Sequence, residues 1–218
     1  MRKAISVGGD YQRTGGDEMP DRASRNTKGK IITAAWKLFY EQGYENTTVD
    51  AIIAQAKTSK GSFYHYFRGK DALLGTLAYL FDEKYEELME TMDPALGSFE
   101  KLLFLNNELF TMIENGISLD LLARLFSSQL ITKGEKSLLD RSRLYYRLLA
   151  KIIQEGQKNK ELRSDISVGE IVKAYAICER ALMYDWCISG GEYSLRSYSQ
   201  RMLPMFLADF RNPKPDKK

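Results

Sequence analysis

Apolar residues recur at three- and four-residue intervals along most of this 218-residue chain, and that interval is the repeat of an amphipathic helix. In residues 30–44 the repeat places Ile31, Ala35 and Phe39 on one face, and Gly43 follows as a helix stop. Similar patterns predict further helices at about 70–92, 99–115, 119–129, 136–158, 168–189 and 193–210. No strand-like alternation or internal repeat competes with them, so the sequence predicts an all-α protein.

Residues 47–67 predict two short helices joined by a tight turn. Either Thr47 or Thr48 can cap the first helix, and Asp50 stands three residues after Thr47, where a capping box has its acidic partner. The turn follows at Lys57, for which we expect a left-handed backbone.

The second of these short helices carries residues that suit contact with DNA. Ser59 can cap it, and Phe63 and Phe67 share its inner side. Small or hydrogen-bonding residues occupy the outer side, namely Lys60, Gly61, Ser62, Tyr64, His65 and Tyr66. A helix-turn-helix that enters the major groove needs this combination, although a plain helical hairpin has the same local pattern.

A dense set of residues between Lys28 and Leu74 matches one known pattern. The set is Ile31-Ile32, Ala34-Ala35, Leu38-Phe39, Gly43-Tyr44, Thr47-Thr48, Ile52, Ala56, Ser59-Lys60-Gly61, Tyr64, Tyr66-Phe67 and Lys70-Asp71-x-Leu73-Leu74. This stretch resembles the DNA-binding domain of the tetracycline-repressor (TetR) family. Three positions depart from the family pattern, because Ile53, Lys57 and Thr58 stand where alanine, a turn glycine and valine are common.

The resemblance implies a sequence-specific transcriptional regulator that binds a palindromic double-stranded DNA operator as a homodimer and is released by a ligand, as a repressor is. The DNA-binding residues that it carries over are Thr47, Thr48, Ser59, Lys60, Gly61, Ser62, Tyr64, His65, Tyr66 and Lys70. We expect Tyr64 and Lys70 to contact phosphates, and Lys60 to approach base edges. The alternative is a helical effector-binding or scaffolding protein without specific operator recognition.

Charge is unevenly distributed, as in a protein with a basic N-terminal module. Residues 22–70 hold nine Lys or Arg and three Asp or Glu, whereas residues 71–218 hold 20 and 22. Arg22 and Arg25 serve either as a linker or as a basic arm towards DNA. The predicted domains are a disordered leader (1–25), a helix-turn-helix domain (26–70), a helical effector-binding and dimerisation domain (71–211) and a flexible tail (212–218).

The predicted body begins with one long helix over about residues 70–92, with Gly75 as its weak point, and ends with two helices rich in apolar residues. The resemblance implies that the last two pair with a second copy, and a repressor of a palindrome needs such a two-fold axis. An ordinary monomer core would give the same pattern. The predicted interface residues are Tyr175, Leu182, Trp186, Leu195, Tyr198, Met202, Phe206 and Phe210.

The resemblance also implies a pocket for a small apolar or aromatic effector between the helices of the body. Its candidate residues are Phe81, Tyr85, Phe104, Phe110, Arg124, Phe126, Tyr145, Tyr146, Tyr175 and Glu179. Each aromatic residue also fits an ordinary core. Arg124 and Glu179 are the better indicators, because a buried charge requires a partner.

No residue pattern indicates catalysis, a cofactor or a metal site. The single histidine, His65, lies on the predicted recognition helix, without a nucleophile–base arrangement or metal-ligand spacing around it. We therefore expect no enzyme. Cys178 and Cys187 stand nine residues apart in one predicted helix, too far for a disulfide, and the sequence contains no membrane span or signal peptide. These features predict a cytoplasmic protein with no membrane partner.

Overall fold

The computed structural model describes residues 22–131, 133 and 136–212, with side chains from residue 27 onwards. Every regular element in those ranges is a helix, which confirms the all-α prediction. The α-helices are α1 (Arg22–Gln42), α2 (Val49–Ala56), α3 (Lys60–Tyr66), α4 (Asp71–Leu74), α5 (Leu77–Thr91), α6 (Ser98–Gly116), α7 (Leu119–Ile131), α8 (Leu144–Lys158), α9 (Val168–Ile188) and α10 (Leu195–Phe206). Short 3₁₀ helices cover Ser137–Leu139 and Ala208–Phe210.

Helix α1 begins at Arg22, inside the leader predicted for residues 1–25. Neither glycine nor proline occurs between Arg22 and Lys28, so no residue there breaks the helix. The rest of the predicted leader and nearly all of the predicted tail lie outside the described residues.

Contacts divide the chain into two compact units. Unit 1 comprises the residues up to Tyr79 together with Arg124–Leu138, and unit 2 comprises Leu80–Ala123 together with the residues from Leu139 onwards. Helices α5 and α7 each contribute residues to both units. The first unit therefore extends beyond the helix-turn-helix domain that was predicted to end at residue 70.

In unit 1 the three N-terminal helices form the predicted helix-turn-helix module. Ile31 and Phe39 of α1, Ile52 of α2 and Phe63 of α3 are all buried, and α1 contacts both α2 and α3. Gly43 ends α1 with a positive φ of 82°, a conformation that glycine adopts without strain. These inner faces are the ones that the apolar spacing predicted.

The prediction of one continuous helix over residues 70–92 is wrong, because Gly75 and Thr76 separate α4 from α5. The Thr76 hydroxyl donates to Leu73 O at 2.6 Å and accepts a hydrogen bond from Trp36 Nε1 at 2.8 Å. The backbone bonds around it span three residues instead of four, as between Ala78 N and Gly75 O. A tight turn stabilised by a threonine hydroxyl therefore replaces the regular helix at this point.

The helix predicted over residues 136–158 also begins later, at Leu144. Asp140 accepts hydrogen bonds from the backbone N–H and the hydroxyl of Ser142, at 2.8 and 2.7 Å. Such a local side-chain bond offers the backbone an alternative to the helix, which explains the break.

Unit 2 contains α6, α8, α9 and α10 around an apolar core. Helix α6 contacts α8 and α10, and α9 contacts the same two helices. Ser167 and Glu170 form a capping box at the start of α9. Cys178 and Cys187 are free thiols in this helix. No helix within the described residues is long and apolar enough to cross a membrane.

Candidate DNA interface, effector site and dimer face

The recognition helix α3 exposes four of the six residues that the sequence placed on its outer side, and the other two, Ser62 and Tyr66, are half-buried. Ser59 has an extended backbone and accepts a hydrogen bond from the Ser62 N–H at 3.0 Å, which caps the helix. Phe63 is buried, whereas Lys60, Tyr64 and His65 are exposed. The buried phenylalanine anchors the helix and leaves the polar groups accessible to another molecule.

Gly61 is not required by the fold of this chain. A Cβ at this position would have Ser59 Oγ as its nearest neighbour, at an ordinary contact distance of 3.9 Å. An exposed helical glycine lowers stability by about 1 kcal/mol relative to alanine. A glycine that the fold does not need fits a surface that another backbone approaches closely.

The turn before α3 adopts the predicted left-handed conformation. Lys57 has φ 52° and ψ 48°, and its N–H donates to Ala54 O at 3.2 Å. This conformation costs a residue with a Cβ about 1–2 kcal/mol. It sets the angle at which the chain leaves α2 and enters the recognition helix.

Of the two cap residues that the sequence allowed for α2, Thr48 is confirmed, and the capping box of Thr47 with Asp50 is not formed. Thr48 caps α2 by accepting a hydrogen bond from the Ala51 N–H at 3.1 Å. Thr47 is fully buried, and its hydroxyl donates to Gly43 O at 2.8 Å. Thr47 therefore stabilises the loop before α2, and its side chain is not available for the DNA contact that was predicted.

Lys70 has a role within unit 1 that the sequence did not reveal. Its ammonium group donates to the backbone carbonyl oxygens of Tyr44, Glu45 and Thr47 at 2.9, 3.3 and 3.1 Å. The same group lies 4.4 Å from the centroid of the Tyr44 ring. Because an ammonium group has three protons, these carbonyls occupy all of them. We therefore no longer expect Lys70 to contact phosphate.

Arg124, a predicted effector-pocket residue, lies in unit 1. Its guanidinium forms an ion pair with Glu45 at 2.6 Å and stacks over the Tyr44 ring at 4.8 Å. The Tyr44 hydroxyl donates to Asp71, and burial followed by this bond raises the pKa of Tyr44 well above its ordinary value. We name Tyr44, Glu45, Lys70, Asp71 and Arg124 the loop cluster.

The predicted pocket residues divide between the two units. Phe126 and Arg124 lie in unit 1, and the other eight lie in unit 2. The sequence could not reveal this, because the boundary between the units falls inside α7. In unit 2, Phe104 and Tyr146 are half-buried, and the remaining six are buried, namely Phe81, Tyr85, Phe110, Tyr145, Tyr175 and Glu179.

Glu179 is the centre of a buried hydrogen-bond network in unit 2. Its carboxylate accepts hydrogen bonds from Asn106 Nδ2 at 2.9 Å and from the Tyr145 hydroxyl at 2.7 Å. Ser199 donates to Asn106, which extends the network to α10. Burial raises the pKa of Glu179 above its ordinary value, and the hydrogen bonds from Asn106 and Tyr145 oppose that rise. The expected partner of this buried charge is thus a set of neutral donors.

Three buried tyrosines surround this carboxylate, and two of them have hydrogen-bond partners. Tyr145 donates to Glu179, and Tyr175 donates to Leu102 O at 2.8 Å. The ring of Tyr85 lies 5.3 Å from that of Tyr145, but its hydroxyl is buried without a hydrogen-bond partner among the described residues. Burial and then the charge of Glu179 raise the pKa of Tyr85, so its hydroxyl stays protonated. We name Tyr85, Asn106, Tyr145, Tyr175 and Glu179 the core cluster.

A buried ion pair beside Tyr145 was missed by sequence reasoning. Arg143 Nε and Nη2 donate to the two carboxylate oxygens of Asp82 at 3.1 and 2.8 Å, and the Tyr145 N–H donates to the same group at 3.3 Å. Asp82 and Arg143 are 61 residues apart. No local pattern distinguishes them from the many exposed charges of the chain.

The predicted dimer face has to be corrected for helix α9. Tyr175, Leu182 and Trp186 are buried in the core of this chain, as is Leu195 of α10. The opposite side of α9 exposes other apolar residues, namely Ile177 (48%), Tyr184 (50%) and Ile188 (68%). Both sides of α9 are apolar, and the packing within the chain uses the side that we had assigned to the partner.

Helix α10 retains the predicted apolar surface. Phe206 is 45% exposed, and Tyr198, Met202 and Phe210 are half-buried. Met205, which was not predicted, is 68% exposed beside Phe206. Exposed apolar residues on two helices of one unit are a candidate interface.

The described residues contain no group of three or more His, Cys, Asp or Glu side chains that could hold a metal ion.

Among known proteins, residues 31–77 match the model of the family described as bacterial regulatory proteins, tetR family. An uncharacterised HTH-type transcriptional regulator in the lacX 3' region of Lactococcus lactis is 48% identical over 46 residues, 21% of this chain and 24% of that relative. The regulator YuxN of Bacillus subtilis is 43% identical over 60 residues, 27% of this chain and 21% of that relative. These alignments span about a quarter or less of each relative.

Longer similarities reach the body of the protein. The fatty acid metabolism regulator protein of Bacillus subtilis is 23% identical over 187 residues, 84% of this chain and 95% of that protein. The crystal structure of Thermus thermophilus FadR, a TetR-family transcriptional repressor in complex with lauroyl-CoA, superposes with a TM-score of 0.68 at 22% identity, over 87% of this chain and 97% of that one. At this identity the superposition shows a shared fold.

Residues 31–77 match the TetR family of transcriptional regulators, and the chain as a whole shares the fold of a TetR-family repressor. The family match covers most of α1, all of α2 to α4 and the first residue of α5, which confirms the resemblance seen in the sequence. The relatives named above are regulators.

Proposed function

We propose that this chain is a repressor that binds a palindromic operator as a homodimer and leaves it when a small effector binds. The observation that carries the proposal is the exposed face of α3, where Lys60, Tyr64 and His65 surround a glycine that the fold does not require. Lys60 forms an ion pair with Asp50 at 3.4 Å, and both side chains are well exposed. Such a surface pair is weak, so a base or phosphate can displace it.

The homodimer is proposed from the exposed apolar surface of α9 and α10. Five large apolar side chains are 45% to 68% exposed there, namely Ile177, Tyr184 and Ile188 on α9 and Met205 and Phe206 on α10. A second copy would cover them by two-fold symmetry, which also matches the two half-sites of a palindrome. We name these five residues the dimer face.

Effector binding is proposed for the interior of unit 2, where the core cluster lies. Its buried aromatic residues suit a ligand that is largely apolar or aromatic. FadR of Thermus thermophilus binds lauroyl-CoA, and FadR of Bacillus subtilis binds stearoyl-CoA; both share the fold. Helices α5 and α7 contribute to both units, so we propose that they carry the effect of the ligand to the DNA module. The expected site of action is the cytoplasm.

DNA binding is tested by recovering fragments bound to the protein from a pool of genomic DNA and then measuring mobility shifts. Lys60→Ala should change the preference at particular base pairs, because Lys60 is proposed to approach base edges. Lys151→Ala, an exposed lysine of α8, is the matched control and should leave binding unchanged. Recovery of random fragments would favour a scaffolding protein without an operator.

Dimerisation is tested by placing a charge on the dimer face. Ile188→Glu or Phe206→Glu should give monomers, because burying an unpaired carboxylate in an apolar interface is strongly unfavourable. Met89→Glu, at an exposed methionine of α5, is the control and should sediment like the wild type. Wild-type protein that sediments as a monomer at micromolar concentration would overturn the homodimer.

A further inference from the structure

The hydroxyl group of Tyr85 is an incomplete part of the core cluster. Tyr85 is 1% exposed, and among the described residues its oxygen is buried without a hydrogen-bond partner. Leaving a buried hydroxyl unsatisfied costs about 1–3 kcal/mol. A phenylalanine would fill nearly the same volume without that cost, so the fold alone gives no reason for a tyrosine.

The polar neighbours of Tyr85 in the core cluster make their hydrogen bonds to one another or to the backbone. Both oxygens of Glu179 already accept hydrogen bonds, from Asn106 and Tyr145. Tyr175 donates to the Leu102 carbonyl. Tyr145 and Tyr175 therefore have their protons engaged, whereas the Tyr85 hydroxyl has no acceptor among the described residues.

The charged groups around Tyr85 disfavour both an anionic and a cationic ligand group beside its hydroxyl. The carboxylate of Glu179 acts electrostatically on Tyr85 and disfavours an anion there. Arg143 could attract an anion, but it is held by two hydrogen bonds to Asp82. A cation would have to displace the donors of Glu179. A neutral hydrogen-bond acceptor is not repelled by Glu179 and does not have to displace the donors of Glu179.

The residues beside Tyr85 on helix α5 indicate that the rest of the ligand is apolar. Phe81 and Leu88 lie four residues before and three residues after it on α5, hence on the same face, and both are buried. A chain or ring that follows this face would meet carbon atoms, with the polar groups confined to one end.

We propose that Tyr85 donates a hydrogen bond to a neutral carbonyl oxygen of the effector, and that the remainder of the effector is an apolar chain or ring. The class is that of esters, thioesters and related neutral carbonyl compounds, as opposed to free carboxylic acids or organic cations. The inference rests on the proposed function, since it names the ligand class of the proposed effector site. Because Tyr85 is enclosed, binding requires unit 2 to open transiently.

The test uses the full-length chain and three probes that each have a linear ten-carbon chain, namely methyl decanoate, decanoate and decyltrimethylammonium. Affinity is measured by calorimetry and by the shift in unfolding temperature, in the wild type, Tyr85→Phe and the control Tyr40→Phe at an exposed tyrosine of α1. The wild type should bind methyl decanoate at least about tenfold more tightly than the other two probes. Tyr85→Phe should weaken methyl decanoate binding by about 3- to 10-fold, the loss of one hydrogen bond. Tyr40→Phe should not change it.

Three results would overturn the inference. They are no binding of methyl decanoate, equally tight binding of decanoate or the cation, and an unchanged ester affinity in Tyr85→Phe. Operator affinity, measured separately, distinguishes this inference from the proposed function. Ester binding that leaves operator affinity unchanged would overturn the ligand-released repressor and keep the ligand class. Release of the operator by another class of compound, and not by the ester, would overturn the ligand class and keep the ligand-released repressor.

Discussion

The loop cluster of unit 1 and the core cluster of unit 2 both join a tyrosine to charged groups, but they differ in completeness. In the loop cluster Lys70 satisfies three carbonyls, the Tyr44 hydroxyl has Asp71, and Arg124 has Glu45. In the core cluster the Tyr85 hydroxyl has no partner among the described residues. A cluster whose polar groups all have partners within the protein has a structural role that needs no ligand. An incomplete buried one indicates that something from outside completes it.

The two clusters also differ in exposure, which changes what each interaction contributes. The side chains of Arg124 and Glu45 are 32% and 69% exposed, so water screens their attraction. Tyr145 and Glu179 are buried, where an unpaired polar group is far more costly. Substitutions in the two clusters should therefore have different and separable consequences.

The largest effect is expected from Lys70→Met, which removes the ammonium group from the loop cluster. Three backbone carbonyls would lose a charged donor, and we expect the free energy of unfolding to fall by about 2–3 kcal/mol. Urea unfolding followed by circular dichroism measures this. Lys60→Met, at an exposed lysine of α3, is the control and should change stability by less than about 0.5 kcal/mol. If Lys70→Met kept full stability but lost DNA affinity, the result would instead support the phosphate contact that the sequence predicted for Lys70.

An intermediate effect should separate two tyrosines within the core cluster. Tyr175→Phe loses the bond to Leu102 O and should destabilise unit 2 by about 1 kcal/mol. Tyr85→Phe removes an unsatisfied hydroxyl and should leave stability unchanged or raise it by about 1 kcal/mol. Urea unfolding of both variants without ligand makes the comparison. Equal losses in the two would show that Tyr85 has a partner within the protein.

The smallest effect is expected for the exposed ion pair of the loop cluster. A double-mutant cycle of Arg124→Ala and Glu45→Ala should give a coupling energy of about 0.5 kcal/mol, because both groups are partly in water. The coupling should shrink as salt is added, since exposed charges are screened. A coupling above about 2 kcal/mol, insensitive to salt, would mean that the pair is buried in solution.

The sequence predicted the helix-turn-helix module well because its signals are local. Ser59 caps α3 through a bond to Ser62, three residues away, and Gly43 ends α1 with a backbone that suits glycine. The apolar spacing that defines α1 and α3 is likewise a matter of three or four residues. The predicted continuous helix over residues 70–92 was wrong because two local preferences compete there. The apolar spacing favours a helix, whereas the Thr76 hydroxyl donates to Leu73 O and interrupts it.

By itself the sequence indicated the resemblance to the TetR family in residues 31–77, the all-helical class and the position of helix α3, all of which depend on neighbouring residues. Only the tertiary structure decided which apolar side of α9 is internal, since Tyr175 and Ile177 are equally suitable by composition. It also decided that Arg124 stacks on Tyr44, that Arg143 neutralises Asp82, and that the Tyr85 hydroxyl lacks a hydrogen-bond partner among the described residues. Asp82 and Arg143 are 61 residues apart and Asn106 and Glu179 are 73 residues apart. Partners so distant meet only through the packing of whole helices, and no local pattern in either segment records which of many similar residues will meet.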